Sequence, residues 1–228
     1  MDNTQAVSLV ESRICTEITS DPNHRGAADR RWCWKPDDVL RIRFLSGDRK
    51  LHKRVIDTAK EWMRYANIQF AFDVPGAAEI RIDFNPTGGS WSYVGTSCLS
   101  IGRGKPTMNL GWLTATSPET ELRRVVLHEF GHVLGLIHEH SSPVAKIPWN
   151  EKIVLDYYKR TQGWSHSTTK ANVLLPEFAD AYTEFDPDSI MMYPIPSDLT
   201  IGGFSVPWEN SELSDLDKKL IGQLYPKD

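Results

Sequence analysis

The stretch HEFGHVLGLIHEH, His128 to His140, limits what this chain can fold into more than any other, because it sets histidines and glutamates at intervals that few backbones can accommodate. On a helix, residues four apart lie about 40° apart around the axis and one turn along it, so His128 and His132 project side by side from one face. Gly135 stands where a left-handed turn would end that helix, and a chain reversed there can bring His138 back to the same point. Three neutral imidazoles then grip one ion and leave a coordination position open. A closed tetrahedral shell is structural, whereas three protein ligands and an open position are the catalytic arrangement of zinc. Glu129, beside the first ligand, can reach a metal-activated water without binding the ion. It is the general-base candidate, taking a proton as water attacks a carbonyl and passing it to the leaving amine. The implied chemistry is peptide-bond hydrolysis. A solvated helix face, the competing reading, has no need of His, Glu, His, Gly and His at these intervals. His140 lies beyond the third ligand and reads as an exposed loop histidine, while His24, His52 and His166 have no partner pattern.

The flanking sequence supports a helix under this motif. In TATSPETELRRVVLHEFGHVLG, Thr116 or Ser117 is the N-cap candidate, Pro118 suits the first turn, and Glu119 and Glu121 complement the positive end of the helix dipole. Leu122, Val125, Val126, Phe130, Val133 and Leu134 form its buried side. Upstream, residues 39–45 alternate with period two and predict a strand, and 50–70 predict an amphipathic helix running into a second strand. AEIRIDF (78–84) repeats the strand alternation, NPTGGSWSYVG (85–95) is a Gly-rich turn able to start another strand, and Pro106–Leu113 predicts one more. Downstream the pattern loosens, with a short helix at Glu151–Arg160 and a closing helix after Ser214, its N-cap candidate, carrying Leu216, Leu220, Ile221 and Leu224.

At 228 residues, 40% hydrophobic and 25% charged, the composition fits one catalytic unit. A formal charge of −4 with scattered Lys and Arg leaves no basic field for nucleic acid. No apolar run approaches the roughly 20 residues of a membrane span, so the sequence reads as soluble, with no membrane partner. Compartment stays open: extracellular through a removed leader or a leaderless route, or cytoplasmic. The first 28 residues lack sustained periodicity and read as a flexible leader, with the catalytic domain from 29 to 228. Cys15, Cys33 and Cys98 allow at most one bridge, and whether Cys33 and Cys98 form it stays open. On a mobile leader, Cys15 in RICTEIT could plug the open zinc position, since a thiolate is a better ligand than water; a free thiol is the plainer alternative.

At these residues the chain resembles the metzincin zinc endopeptidases, whose pattern is HExxHxxGxxH followed by a methionine-containing turn. FDPDSIMMYP (185–194) is similar to the astacin-type turn, usually SxMHY, with Met192 in place of histidine. The resemblance implies that Met191 underlies the zinc histidines and that Tyr193 ligates zinc at rest and swings away to stabilise the transition state, where a phenol aimed at a developing oxyanion has an electrostatic rationale. RWCWKPDDVLRIRF resembles the start of a mature astacin domain, GGSWSYVG a Gly-Cys-x-Ser-x-Val-Gly stretch, and IHEHSSP the glutamate-bearing continuation, with Glu139 matching. Ser90 replaces a cysteine and no cysteine follows Cys98, so the usual disulfide pair cannot form, and no aspartate-containing propeptide is recognisable.

The resulting expectation is an α+β, metzincin-like, two-lobed zinc protease. Its upper lobe, to about residue 138, holds a twisted mixed sheet and two helices; its smaller, irregular lower lobe, 139–228, ends in the C-terminal helix. One catalytic Zn²⁺ is implied, in a monomer that binds a protein or peptide substrate in extended form, with PTMNLGW (106–112) the candidate peptide-binding strand. Residues after Tyr193 should wall the pocket beyond the scissile bond, where PIPSDLTIGGF offers no basic side chain. A zinc-stabilised peptide-binding module without catalysis, and a zinc hydrolase of a non-peptide amide, are the alternatives. Glu129 speaks against the first, because a structural site has no use for it.

Overall fold

Alternation along short strands produces one six-stranded sheet. The computed structural model describes residues 15–18, 28, 30–176, 180–207 and 210–227. The strands are β1 (Cys15–Ile18), β2 (Val39–Phe44), β3 (Gln69–Phe72), β4 (Ile80–Asp83), β5 (Ser90–Tyr93) and β6 (Met108–Leu110), in the order β1-β5-β6-β4-β2-β3. Every pairing is parallel except β5 with β6. Leu40 and Ile42 of β2 turn inward while Val39 and Arg41 face out, as period-two alternation requires. Arg81 of β4 is buried on the opposite face, where its guanidinium donates to the carbonyls of Ala78, Lys105 and Ile101 and ties the 101–105 loop to the sheet.

α1 (Arg49–Ala59) and α2 (Glu119–Val133) pack on each other and on the apolar sheet face, with Leu51, Val55 and Ala59 of α1 in the main core. Asp48 caps α1, accepting from the N–H groups of Lys50 and Leu51. The cap of α2 differs from the sequence expectation. Ser117 Oγ accepts from Thr114 N–H instead, and Pro118 holds the cap position without a side-chain bond. Arg54 of α1 does the anchoring, donating to the carbonyls of Ala115 and Ser117 and pairing with Glu119. At the other end, Trp34 Nε1 donates to Val133 O at 2.7 Å and Tyr225 OH to Leu134 O at 2.7 Å, satisfying carbonyls that a helix terminus leaves open. From Val125 to Val133 the helix is buried on all sides, not along one stripe, so its histidines lie in the protein interior.

After Glu139 the chain is mostly irregular. α3 (Glu151–Gln162), capped by Asn150 and ended by the left-handed Gly163, packs with α4 (His166–Thr169) and the π-helical turn Lys170–Leu174 around Val154, Tyr158, Val173 and Leu199. α5 (Asp215–Leu224) has a Ser214–Asp217 capping box. Expected to close the lower lobe, it instead sends Leu220, Ile221, Leu224 and the following Tyr225 into the main core, so it joins the two halves.

Two further expectations change, and one open question is answered. PTMNLGW is not a free edge: β6 is bonded by β4 on one side and β5 on the other, so its backbone groups are used within the sheet. The sheet edges are β1 and β3; β1, inside the segment read as a leader, pairs along the side of β5 away from β6. A strand this short is held by main-chain bonds and needs no side-chain periodicity, which is why alternation did not disclose it. Ala28 also belongs to the folded unit, fully buried and bridged to Leu136. Cys33 and Cys98 are thiols with no disulfide between them, and burial pushes the Cys98 thiol up to about 12. Among the described residues no helix is long and apolar enough to cross a membrane.

Candidate active site

The end of α2 builds the histidine cluster. Gly135, at φ +89°, sits just past the helix; its N–H bonds His132 O at 2.8 Å and Leu136 N–H bonds Gly131 O at 3.0 Å, the two bonds of a Schellman turn. That turn reverses the chain and delivers His138 to His128 and His132. The ligand atoms of the three imidazoles lie within 4.8 Å of one another, with ring centroids 4.7–5.3 Å apart, and all three residues are buried. The sequence placed them together, and the structure does the same.

Two of the rings are oriented by backbone carbonyls. His128 Nδ1 lies 2.8 Å from Ile190 O and His132 Nδ1 lies 2.9 Å from Leu136 O. A carbonyl can only accept, so both Nδ1 atoms carry the proton and each Nε2 presents a lone pair. Burial, reinforced by His132, pushes His128 well below the usual imidazole range; burial and the neighbouring histidines do the same to His138, and burial takes His132 down to about 4. The cluster is therefore neutral at pH 7, the state in which imidazole binds a metal. His128 Nε2 is buried without a hydrogen bond, which is costly for a polar atom with no ligand to meet. Three neutral nitrogen donors, two of them on rings held by carbonyls, suit zinc.

Glu129 is buried, one turn from His132 on the same helix. Met191 is buried against Gly131, between the first two histidines: a Cβ on Gly131 would overlap Met191 Sδ and lie 3.4 Å from Trp62 Cζ2. The methionine turn thus sits directly beneath the helix. Tyr193 is buried too, its ring 4.2 Å from that of His138 and 4.6 Å from that of His140.

His140 is not the exposed loop residue expected. It is 4% exposed, its Nε2 bonds Asn172 O at 3.0 Å, and burial takes it down to about 4. Nothing in local spacing signals this, because the π-helical turn that covers it comes from far downstream. Glu139, half-buried, accepts from Asp186 N–H and donates its own N–H to Met191 O. Burial, with Asp217 and Asp186 nearby, raises its carboxyl to about 8. His52 stacks on Phe44 and His166 is exposed, neither near the cluster; His24 and the side chain of Cys15 lie outside the described residues. Asp217, which sequence reasoning treated only as part of a helix, reaches the methionine turn. Its signal was the Ser214-x-x-Asp217 capping box.

Comparison with known proteins agrees with this geometry. The family model for the astacin peptidases matches residues 27–198. A solved structure of myroilysin is 40% identical, covers 89% of this chain and 100% of its own, and superposes with a TM-score of 0.85. A second myroilysin structure is 36% identical over 95% and 92%, with a TM-score of 0.71. High choriolytic enzyme 1, a hatching enzyme zinc-protease from Oryzias latipes (medaka fish), is 16% identical over 89% and 98% with a TM-score of 0.56, a likeness of fold. No curated protein sequence matches.

Proposed function

The chain belongs to the astacin family of peptidases and is a zinc-dependent endopeptidase, and from that premise we propose how its own residues divide the work. His128, His132 and His138 hold a single zinc ion through Nε2. A zinc ion there supplies Lewis-acid activation of water and of the scissile carbonyl. Glu129 takes the proton from the attacking water and delivers it to the leaving amine. The enclosed site keeps that carboxylate from bulk solvent and strengthens its electrostatic effect on the reacting atoms. Tyr193, beside His138, donates its phenol proton to the oxyanion as the carbonyl carbon becomes tetrahedral. We read the enzyme as acting as a monomer.

The substrate is a protein or peptide, and we place it in extended form along the side of β5 away from β6, where a peptide strand would take over the main-chain groups that residues 15–18 pair with. Residues 15–18 use that same side, so they and a peptide would compete for it. We read the catalytic unit as beginning near Ala28.

The observation that carries this assignment is the convergence of three buried, neutral imidazoles with ligand atoms within 4.8 Å of one another. The test is Glu129→Gln, which removes proton transfer and no ligand. Zinc content measured by atomic absorption should stay stoichiometric while casein hydrolysis falls by several orders of magnitude. Hydrolysis within a few-fold of the parent would remove Glu129 from the mechanism.

A further inference from the structure

Three donors converge on one buried carboxylate far from the histidines in sequence. Asp217, 5% exposed, accepts from Ser189 Oγ–H at 2.7 Å on Oδ1, and from Ile190 N–H at 2.8 Å and Ser214 N–H at 2.9 Å on Oδ2. Ser189 Oγ accepts in turn from Met191 N–H at 3.0 Å. Ile190 is therefore held from two sides, its N–H by Asp217 and its carbonyl by His128 Nδ1 at 2.8 Å. The same carboxylate belongs to the capping box of α5, whose other half is Asp217 N–H donating to Ser214 Oγ at 2.9 Å. The helix that completes the main core thus reaches through one side chain to the peptide that sets the tautomer and direction of a site imidazole.

We propose that Asp217 is a positioning residue for the metal site: it clamps the 189–191 turn so that the Ile190 carbonyl aims His128 Nε2 at the ion. This rests on the reading that His128 is a ligand. Neutral substitutes fail for a defined reason. An asparagine offers one acceptor oxygen to three donors, and its amide N–H₂ would face a donor. Outer-shell partners of metal-binding histidines typically carry about 10–100-fold in metal affinity or activity.

Three variants test it, read by zinc affinity in competition with a chelator, by the visible spectrum of the cobalt-substituted protein, and by melting temperature. Asp217→Asn and Ser189→Ala should weaken zinc about tenfold or more and shift the cobalt bands. Ser214→Ala, which removes the helix cap and leaves the Ser189 and Ile190 bonds to Asp217, should lower the melting temperature and leave zinc affinity within about twofold. If Asp217→Asn does not fold, Ser189→Ala decides alone, since it spares the capping box. Weakening below about threefold in Ser189→Ala, or equal weakening in Ser214→Ala, overturns the clamp. Failure of the underlying reading looks different: His128→Ala would then bind zinc as tightly as the parent.

Discussion

The Tyr193 ring packs beside two imidazoles, and substitution separates two roles for it. If it only fills space between His138 and His140, the ring matters and the hydroxyl does not. If it donates to the oxyanion, the hydroxyl matters most. Tyr193→Phe keeps the ring, and loss of one such donor costs about 2.7–4 kcal/mol, roughly 10²–10³ in turnover. The expected outcome is that loss in kcat with zinc content, KM and melting temperature nearly unchanged; turnover within about threefold of the parent would leave Tyr193 a packing residue. Buried histidines make a second demand at this scale. His132 and His140 are taken down to about 4 by burial, from an ordinary 6.5. Between those values the unfolded chain binds more protons than the folded one, so stability is full above pH 6.5 and falls as pH drops through that window. Urea midpoints of the chelated protein should decline stepwise from about pH 7 to about pH 4. A flat profile would contradict burial of neutral imidazoles.

The packing of α2 on the methionine turn depends on an absent side chain. Gly131 sits mid-helix, where alanine would add roughly 1 kcal/mol of helix propensity. Met191 Sδ fills the space a Cβ needs, Trp62 closes another side, and Met191 is itself buried, so neither can move aside without disturbing the core. Overpacking a closed site typically costs about 1–3 kcal/mol, which exceeds the propensity gain. Gly131→Ala should therefore lower the melting temperature and weaken zinc retention, because the displaced turn carries the Ile190 carbonyl. A higher melting temperature with zinc retained would show that the turn can yield.

At the scale of the whole molecule, the outer side of β5 has two claimants, residues 15–18 and a peptide. β5 is antiparallel to β6, and its other side pairs with residues 15–18. Ala28 is in the core and bridges Leu136, so a truncation must spare it. A chain lacking residues 1–20 should fold, with a melting temperature near that of the full chain, and should cleave peptides with kcat/KM raised by about tenfold or more. Equal activity of the two chains would show that peptides pair elsewhere. The site also draws on the ends of the molecule: Trp34 and Tyr225 cap the helix that carries the histidines, and Asp217 reaches the turn beneath them.

The convergence of the three histidines, with the glutamate beside them, the methionine turn and the tyrosine beyond it, was legible in the chain itself. Their spacing is local: one helical turn separates His128 from His132, one glycine reverses the chain for His138, and a single residue separates Met191 from Tyr193. Strands β2 to β6 and the long helices were legible too, because a half-buried element must repeat its apolar residues with its own period; β1 was not. What only the tertiary structure decided depended on partners distant in sequence. The order of strands turned PTMNLGW from a free edge into an interior strand and put residues 15–18 at the edge beside β5, since main-chain pairing leaves no mark on side-chain pattern. Burial of His140 came from residues around Asn172, and the second role of Asp217 from a turn 27 residues upstream. A capping box announces how a helix begins, but its spacing carries no information about what else a buried carboxylate meets once three elements fold against it.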